Sequence, residues 1–280
     1  MNFFSYVTIR LNENNKETPE VSLTTPYYRL PNFSPIGEKK AKELWEENSL
    51  ASHRFRYKSF IEYYPLPFNG KYTSINNEGY RYHDQIINPK KKYIYMFGGS
   101  TMYGGGSDDN NTIPALTDKI LNNQFNVFNY GISGNNSRHE LSRLINLVNT
   151  GAKTDIVIFY DGVNDIVNSC IGEGSVNTTI NEKRIRLAIG QNFSNLDGLS
   201  YKEKLFDVFF QYTIQLVASF KDASDINLPI SNSPCSDDKF SDNLAENIIN
   251  NWKIAHGIVK GNGGNFFAIL QPEANIGNPN

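Results

Sequence analysis

Four short apolar runs, separated by stretches of helical spacing, occupy the chain after residue 90. Each run is rich in strand-forming residues and is followed by a turn that contains glycine, asparagine or proline. The runs cover residues 93–97, 126–130, 155–160 and 265–270. Short continuous apolar runs are typical of parallel strands that helices cover on both faces. The pattern therefore predicts an α/β fold, a three-layer α/β/α, flavodoxin-like doubly wound parallel sheet with strand order 2-1-3-4.

Helices between these strands are indicated by capping residues and by apolar positions three and four apart. Thr112 is a candidate cap and Pro114 suits a first turn, which predicts a helix that begins near residue 112. Ser137 and Glu140 have the spacing of a capping box, which predicts the start of another helix. Further helices with one apolar face are predicted over residues 38–49, 201–221 and 241–260.

The first 88 residues differ from the rest of the chain, because they are rich in tyrosine, asparagine, proline and charge. Proline and glycine punctuate residues 63–70, which predicts an extended loop there. We therefore expect residues 1–88 to be an extension packed on a main domain formed by residues 89–280.

Composition narrows the classes of function. The 280 residues are 39% hydrophobic, with a net charge of −2, so the chain has enough material for a core and no basic footprint for nucleic acid. No apolar run approaches the roughly 18 residues of a membrane span, and the first ten residues lack the pattern of a signal peptide. We therefore expect a cytoplasmic protein with no nucleic-acid partner and no transmembrane segment. The oligomeric state is left open.

Cysteine and histidine patterns give no sign of a metal or cofactor. Cys170 and Cys235 are far apart in sequence, which predicts neither a disulfide framework nor a zinc site. The histidines also lack the spacing of metal ligands; they are His53, His83, His139 and His256. We therefore expect no cofactor, no metal and a reducing compartment.

Three turns follow the first three predicted strands, and each carries a residue suited to acyl chemistry. Ser100 follows the first strand, Gly134 the second and Asn164 the third. In the predicted strand order these turns meet at the carboxyl edge of the sheet, where ligands bind in such folds. A serine hydroxyl there can attack a carbonyl carbon, while the amides of Ser100 and Gly134 and the Asn164 side chain donate to the developing oxyanion.

The same turns resemble the first three sequence blocks of the SGNH, or GDSL-type, hydrolase superfamily. The matching segments are Phe97-Gly-Gly-Ser-Thr101, Gly131-Ile-Ser-Gly134 and Gly162-Val-Asn-Asp165. The resemblance covers residues 90–280, and its first block has Gly-Gly-Ser where the family has Gly-Asp-Ser. It implies hydrolysis or transfer of ester-linked acyl groups, often acetyl groups on carbohydrate. It also implies Ser100 as nucleophile and Gly134 and Asn164 as oxyanion-hole residues.

The family's general base, a histidine in an Asp-x-x-His block, is absent after Ser100. A serine hydroxyl without a base is a weak nucleophile. His139 and Asp165 lie near the predicted edge and are supporting candidates only. We expect that the chain ends before the last strand, helix and acid–base block, because a sheet without them exposes core surface. The other explanation is a degenerate member that lacks the base.

Alternative functions remain open at this point. The chain could bind acylated carbohydrate without cleaving it, or transfer the acyl group to an acceptor other than water. A phosphate cradle is a weaker alternative, because the glycine-rich loop over residues 98–106 lacks the Gly-Lys-Ser/Thr of a P-loop. The partner expected from the resemblance is a small-molecule or glycan ester.

Overall fold

The computed structural model describes residues 27–29, 35–172, 176–177 and 233–272. The strands are β1 (Phe55–Lys58), β2 (Glu62–Pro65), β3 (Phe68–Asn69), β4 (Ser74–Ile75), β5 (Lys92–Gly98), β6 (Phe125–Gly131), β7 (Ile156–Asp161) and β8 (Asn265–Leu270). The α-helices are α1 (Glu38–Ser52), α2 (Ser100–Tyr103), α3 (Ile113–Ile120), α4 (Ser137–Asn149), α5 (Val163–Val167) and α6 (Asp238–Gly261). Shorter helical turns are Tyr27–Arg29, Asp109–Asn111, Asn168–Gly172 and Pro234–Ser236.

The central sheet is parallel and four-stranded in the order β6-β5-β7-β8. Numbered within the sheet along the chain, this is the order 2-1-3-4, which confirms the predicted topology. Each strand lies within one or two residues of the apolar run that predicted it. The strand order places the carboxyl ends of β5, β6 and β7 side by side.

Helices cover both faces of this sheet, as the predicted α/β/α layers require. On one face, Phe97 and Phe159 pack with Leu144 of α4 and Ala255 of α6, and all four are fully buried. The other face packs its own apolar residues, among them Met96 and Val127, against Met102 and Ile113. Full burial of each large apolar side chain contributes about 1.5–3 kcal/mol, so these two clusters hold the layers together.

Two predicted helix starts have different outcomes. α3 begins as predicted, because the Thr112 side chain accepts a hydrogen bond from the Ala115 amide at 3.3 Å. The predicted capping box of α4 is wrong by one residue. Asn136 is the cap and accepts from the His139 amide at 3.0 Å, while Ser137 is already helical. Ser137 is bound instead by a carboxylate of α5, described below.

The residues before β5 fold against the sheet. β1 and β2 form an antiparallel hairpin, and β3 pairs with β4. The prediction of an extended loop over residues 63–70 is therefore wrong, since most of that segment is paired strand. Arg81 continues the pairing, because its amide donates to the Asn129 carbonyl of β6 at 3.0 Å. This segment thereby extends the edge of the sheet.

Cys170 and Cys235 form a disulfide, with a Cα–Cα separation of 5.2 Å, across 65 residues of sequence. The prediction that the cysteines form no disulfide framework is therefore wrong. The helical turn Pro234–Ser236 packs next to the turn that carries Cys170, beside Leu244 and Ile248 of α6. The cellular location stays a prediction.

The predicted helix over residues 201–221 lies outside the described residues. Of the helices that the structure does describe, none combines the length and the apolar character that a membrane crossing requires.

Candidate active site

Ser100 lies where the first sheet strand turns into a helix. β5 ends at Gly98, Gly99 is extended, and Ser100 opens the short helix α2. A Cβ atom on Gly99 would overlap Nδ2 of Asn164, so only glycine lets the turn after β7 approach this closely. The half-buried Ser100 directly follows the glycine that the Asn164 side-chain amide approaches.

The turn after β6 is joined to the turn after β5. The Ile132 amide donates to the Gly98 carbonyl at 3.0 Å, and Gly134 follows with a left-handed φ of 82°. Backbone hydrogen bonds between described residues use neither the Ser100 amide nor the Gly134 amide. Both N–H groups therefore remain able to donate to a bound oxygen.

Asn164 connects the third turn to the second. It lies in the first turn of α5, and its Nδ2 donates to the Asn135 carbonyl at 2.6 Å. A primary amide has two N–H groups, so one hydrogen can hold the turns together while the other faces a ligand. The structure thus brings Ser100, Gly134 and Asn164 to one edge of the sheet.

Asp165 is placed as a structural link rather than beside Ser100. Its buried carboxylate accepts from the Ser137 amide at 3.1 Å and from the Ser137 hydroxyl at 2.5 Å. Asn251 of α6 adds a hydrogen bond to the same hydroxyl at 2.9 Å. Burial raises the Asp165 pKa to about 6, although the Ser137 hydrogen bonds oppose that rise. Asp165 therefore ties α5 to the start of α4.

His139 is buried away from the Ser100 hydroxyl. Its ring stacks on Tyr63 at 4.2 Å, and Nδ1 is hydrogen-bonded to Asn135 Oδ1. Burial, together with the nearby Arg143 guanidinium, lowers the His139 pKa to about 3. The ring is accordingly neutral and weakly basic. His139 contacts Asn135, whose carbonyl accepts a hydrogen bond from Asn164. The His139 ring therefore lies behind the second turn.

Buried carboxyl groups lie beneath this edge. Asp161, the last residue of β7, accepts from the Trp252 indole at 2.8 Å, and burial followed by the charge of Asp165 raises its pKa to about 7. Burial and the neighbouring Asp161 also raise the pKa of Glu140. The carboxyl groups of Asp161 and Glu140 therefore stay protonated at a pH where exposed carboxyls are already ionised.

Arg81 holds the loop that follows Ser100, a role that sequence reasoning missed. Its side chain is fully buried and donates to the carbonyls of Tyr103 and Gly104 at 2.9 and 2.8 Å. It also donates to the Ser107 carbonyl at 2.6 Å and to Asp109 at 2.8 Å. The sequence signal was faint, a single arginine between aromatic residues. The guanidinium fixes the helix that Ser100 opens.

Gln271 brings the end of the last sheet strand to the same place. Its side-chain amide donates to Thr101 Oγ1 at 3.0 Å, and its backbone amide donates to the Asp161 carbonyl at 2.7 Å. The chain leaving β8 therefore passes directly beside the residue that follows Ser100. Sequence reasoning also missed this contact, since it joins positions 170 residues apart.

The described residues provide neither a metal centre nor a base in contact with the serine. Within the ranges that the structure covers, no group of three His, Cys, Asp or Glu side chains could hold a metal ion. Among the same residues, Ser100 Oγ has no hydrogen-bond partner. The described residues therefore present the Ser100 hydroxyl at the same edge of the sheet as the turns that carry Gly134 and Asn164.

One family model matches a large part of the chain. A model of the GDSL-like lipase/acylhydrolase family matches residues 94–250, more than half of the 280-residue chain. Among solved structures, a mutant of the esterase AlinE4 is 24% identical, with a TM-score of 0.27 over 30% of this chain. The chain spans 46% of that protein's length. No curated protein sequence matches it.

The matched region contains all three turns and the strands that carry them. The match therefore covers the part of the chain that carries Ser100, Gly134 and Asn164. By its sequence blocks, its strand order and this match, the chain belongs to the GDSL-like lipase/acylhydrolase family within the SGNH hydrolases.

Proposed function

We propose that this chain is a serine esterase that removes ester-linked acyl groups, in particular acetyl groups carried by carbohydrate. Ser100 is the nucleophile, and the amides of Ser100 and Gly134 with the Asn164 side chain form the oxyanion hole. The observation that carries the proposal is the contact of the Asn164 amide with Gly99, the residue before Ser100. This contact supports the role of Asn164 as a donor, because its amide is anchored by the Asn135 carbonyl at 2.6 Å and keeps a second N–H group.

In the proposed reaction Ser100 Oγ attacks the ester carbonyl carbon, and the carbonyl electron pair moves to the oxygen. The three donors stabilise that oxyanion; loss of one such donor typically costs about 2.7–4 kcal/mol of transition-state stabilisation. Collapse expels the alcohol, which takes a proton, and leaves an acyl-enzyme on Ser100. Water then attacks the acyl carbon and gives a second tetrahedral intermediate, whose collapse breaks the bond to Ser100 Oγ, releases the acid and returns a proton to the serine.

The proton of Ser100 needs an acceptor during the attack. His139 is poorly suited, because its ring is buried against Tyr63, is bound to Asn135 and has a pKa of about 3. Imidazole added to the solution can supply the acceptor in an experiment. Rescue of this kind separates the role of the serine from the source of the base.

The test combines covalent labelling with turnover. We expect a fluorophosphonate probe to label the protein, and p-nitrophenyl acetate hydrolysis to rise when imidazole is added beyond the buffer background. Ser100→Ala should abolish labelling and return turnover to the background. Ser107→Ala is the matched control, because the carbonyl of Ser107, not its hydroxyl, contacts Arg81. Labelling that survives Ser100→Ala would exclude Ser100 as the nucleophile.

A second candidate is a protein that binds acylated carbohydrate without cleaving it. It is favoured by the Ser100 hydroxyl having no hydrogen-bond partner among the described residues. Binding of an acetylated sugar with neither labelling nor imidazole-dependent turnover would support it. Acyl transfer, the third possibility, would appear as an acetylated sugar product when turnover is run with a carbohydrate acceptor.

A further inference from the structure

A cavity of about 410 Å³ opens between the β1–β2 hairpin, the loop before Arg81 and helix α4. Its volume is within the range of small-molecule sites, which are commonly 300–1,000 Å³. Tyr63 and Tyr64 are neighbours in β2 and therefore face opposite sides. Tyr63 packs on His139 behind the Ser100 edge, whereas Tyr64 lines this cavity. The cavity is thus distinct from the candidate active site.

Aromatic rings form the floor of the cavity. Tyr95 and Phe128 stack at 5.1 Å with an interplanar angle of 14°, and Tyr80 and Tyr130 stack at 5.5 Å with an angle of 21°. All four residues line the cavity. Stacked rings fix one another's orientation, so the cavity offers preformed flat apolar surfaces.

Three cationic side chains surround the ring of Tyr64 in the same cavity. The Lys58 ammonium is 4.3 Å from the ring centroid, and the guanidinium carbons of Arg56 and Arg143 are each 5.7 Å away. Within the described part of the chain, none of the three forms an ion pair. Glu78 is the one carboxylate among the residues that line the cavity.

Arg143 has an unused donor in this cluster. Its side chain is almost fully buried, and its two terminal nitrogens donate to the carbonyls of Tyr130 and Gly79. Its Nε has no hydrogen-bond partner. A buried charged donor without a partner is costly, and like charges held together add repulsion. Consistent with this, burial and then Arg56 and Arg143 lower the Lys58 pKa.

We propose that this cavity binds a small acidic carbohydrate, a sugar that carries a carboxylate or a phosphate. The anionic group is held by Arg56, Lys58 and Arg143, which a carboxylate or phosphate can bridge through charge-assisted hydrogen bonds. The apolar face of the sugar ring lies on the stacked tyrosines. The amide of Asn146 and the hydroxyl of Thr150, both on the cavity wall, suit the sugar hydroxyls.

The experiment is calorimetric titration of the Ser100→Ala protein with D-glucuronate, glucose 6-phosphate, glucose and inorganic phosphate. Because Ser100 is replaced, the result does not depend on esterase activity, so this proposal and the proposed function fail separately. We expect both acidic sugars to bind at least about tenfold more tightly than glucose or phosphate, since charge-assisted hydrogen bonds and ring contacts add. Binding should weaken as salt is raised.

The matched variants change the same amount of charge in two places. Arg56→Gln with Lys58→Gln alters the cavity rim, where Arg56 is exposed, and should weaken acidic-sugar binding at least about tenfold. Lys39→Gln with Lys40→Gln, exposed on α1, should leave binding unchanged. The proposal is overturned if none of the four compounds binds, if the cavity variant binds as well as the control, or if glucose matches glucuronate. Equal affinity for inorganic phosphate and glucose 6-phosphate would also overturn it, because the ring would then contribute nothing.

Discussion

Replacement of Arg81 by lysine is expected to loosen the loop that follows Ser100. The guanidinium donates to six acceptors: the carbonyls of Tyr72, Tyr103, Gly104 and Ser107, the Thr73 hydroxyl and the Asp109 carboxylate. The side chain is completely buried, so water cannot replace a lost donor. Lysine keeps the charge but has three N–H groups on one atom, and it cannot span the same set of acceptors.

The magnitude follows from the charge-assisted hydrogen bonds that lysine cannot replace. At least three of the six are lost, and each hydrogen bond to a charged group contributes about 1.5–3 kcal/mol. Partial sharing of the remaining hydrogens reduces the sum, so we expect Arg81→Lys to lower the free energy of unfolding by about 3–5 kcal/mol. For a domain of this size that is a fall in melting temperature of roughly 6–20 °C.

Urea unfolding followed by tryptophan fluorescence measures this change directly. Arg54→Lys is the control, because Arg54 is exposed and its guanidinium lies over the Phe68 ring, 5.6 Å from the ring centroid. It should stay within about 0.5 kcal/mol of the parent protein. Since Arg81 binds the carbonyls that end the helix opened by Ser100, fluorophosphonate labelling of the folded Arg81→Lys protein should also slow. Equal stability of the two variants would refute the assignment of Arg81 as the clamp of this loop.

Two further predictions concern groups away from the serine. The pKa of Asp161 is raised to about 7 in the folded protein, whereas a carboxyl in the unfolded chain has a pKa of about 4. Between these two pH values the folded protein binds the Asp161 proton more tightly than the unfolded chain does. The contribution of Asp161 to the free energy of unfolding therefore falls as pH rises from about 4 to 7. Asp161→Asn should therefore gain stability relative to the parent by up to about 1.4 kcal/mol per pH unit across that window in urea titrations, and parallel profiles would contradict this. For Cys170 and Cys235, thiol titration of the denatured chain should find no free thiol before reduction and two after it. Reduction should destabilise the fold by about 4 kcal/mol, because the bond closes a span of 65 residues; free thiols in the unreduced protein would contradict the pairing.

The sheet was predictable because each strand can be recognised from its own run of apolar residues, without knowledge of its partners in space. β5 and β6 are rich in apolar residues and stop at glycine, and both strands end within a residue of the predicted position. The start of α4 was less predictable, because Asn136 and Ser137 are both good caps. The choice between them depends on Asp165, which binds the Ser137 amide and hydroxyl and lies 28 residues further along the chain.

The contacts that position the candidate site are non-local, and for that reason the sequence did not reveal them. The disulfide joins cysteines whose separation in sequence says nothing about their separation in space. Arg81 has no motif of its own, and its importance appears only when the loop that contains Gly104 and Ser107 folds around it. The turn residues Ser100, Gly134 and Asn164 were accessible to sequence reasoning because each directly follows a strand.

Two of the three turns at this edge are held by residues that precede the first sheet strand. Arg81 binds the end of the helix that starts at Ser100. Tyr63 donates to Asn135 Oδ1 at 3.2 Å, and the Asn135 carbonyl in turn accepts from the Asn164 side chain. The sequence pattern changes at residue 88, but the hydrogen bonds that fix the turn with Ser100 and the Asn164 side chain cross that position. The geometry at Ser100 is therefore a property of the extension and the sheet together, because neither supplies both the donors and the groups that hold them.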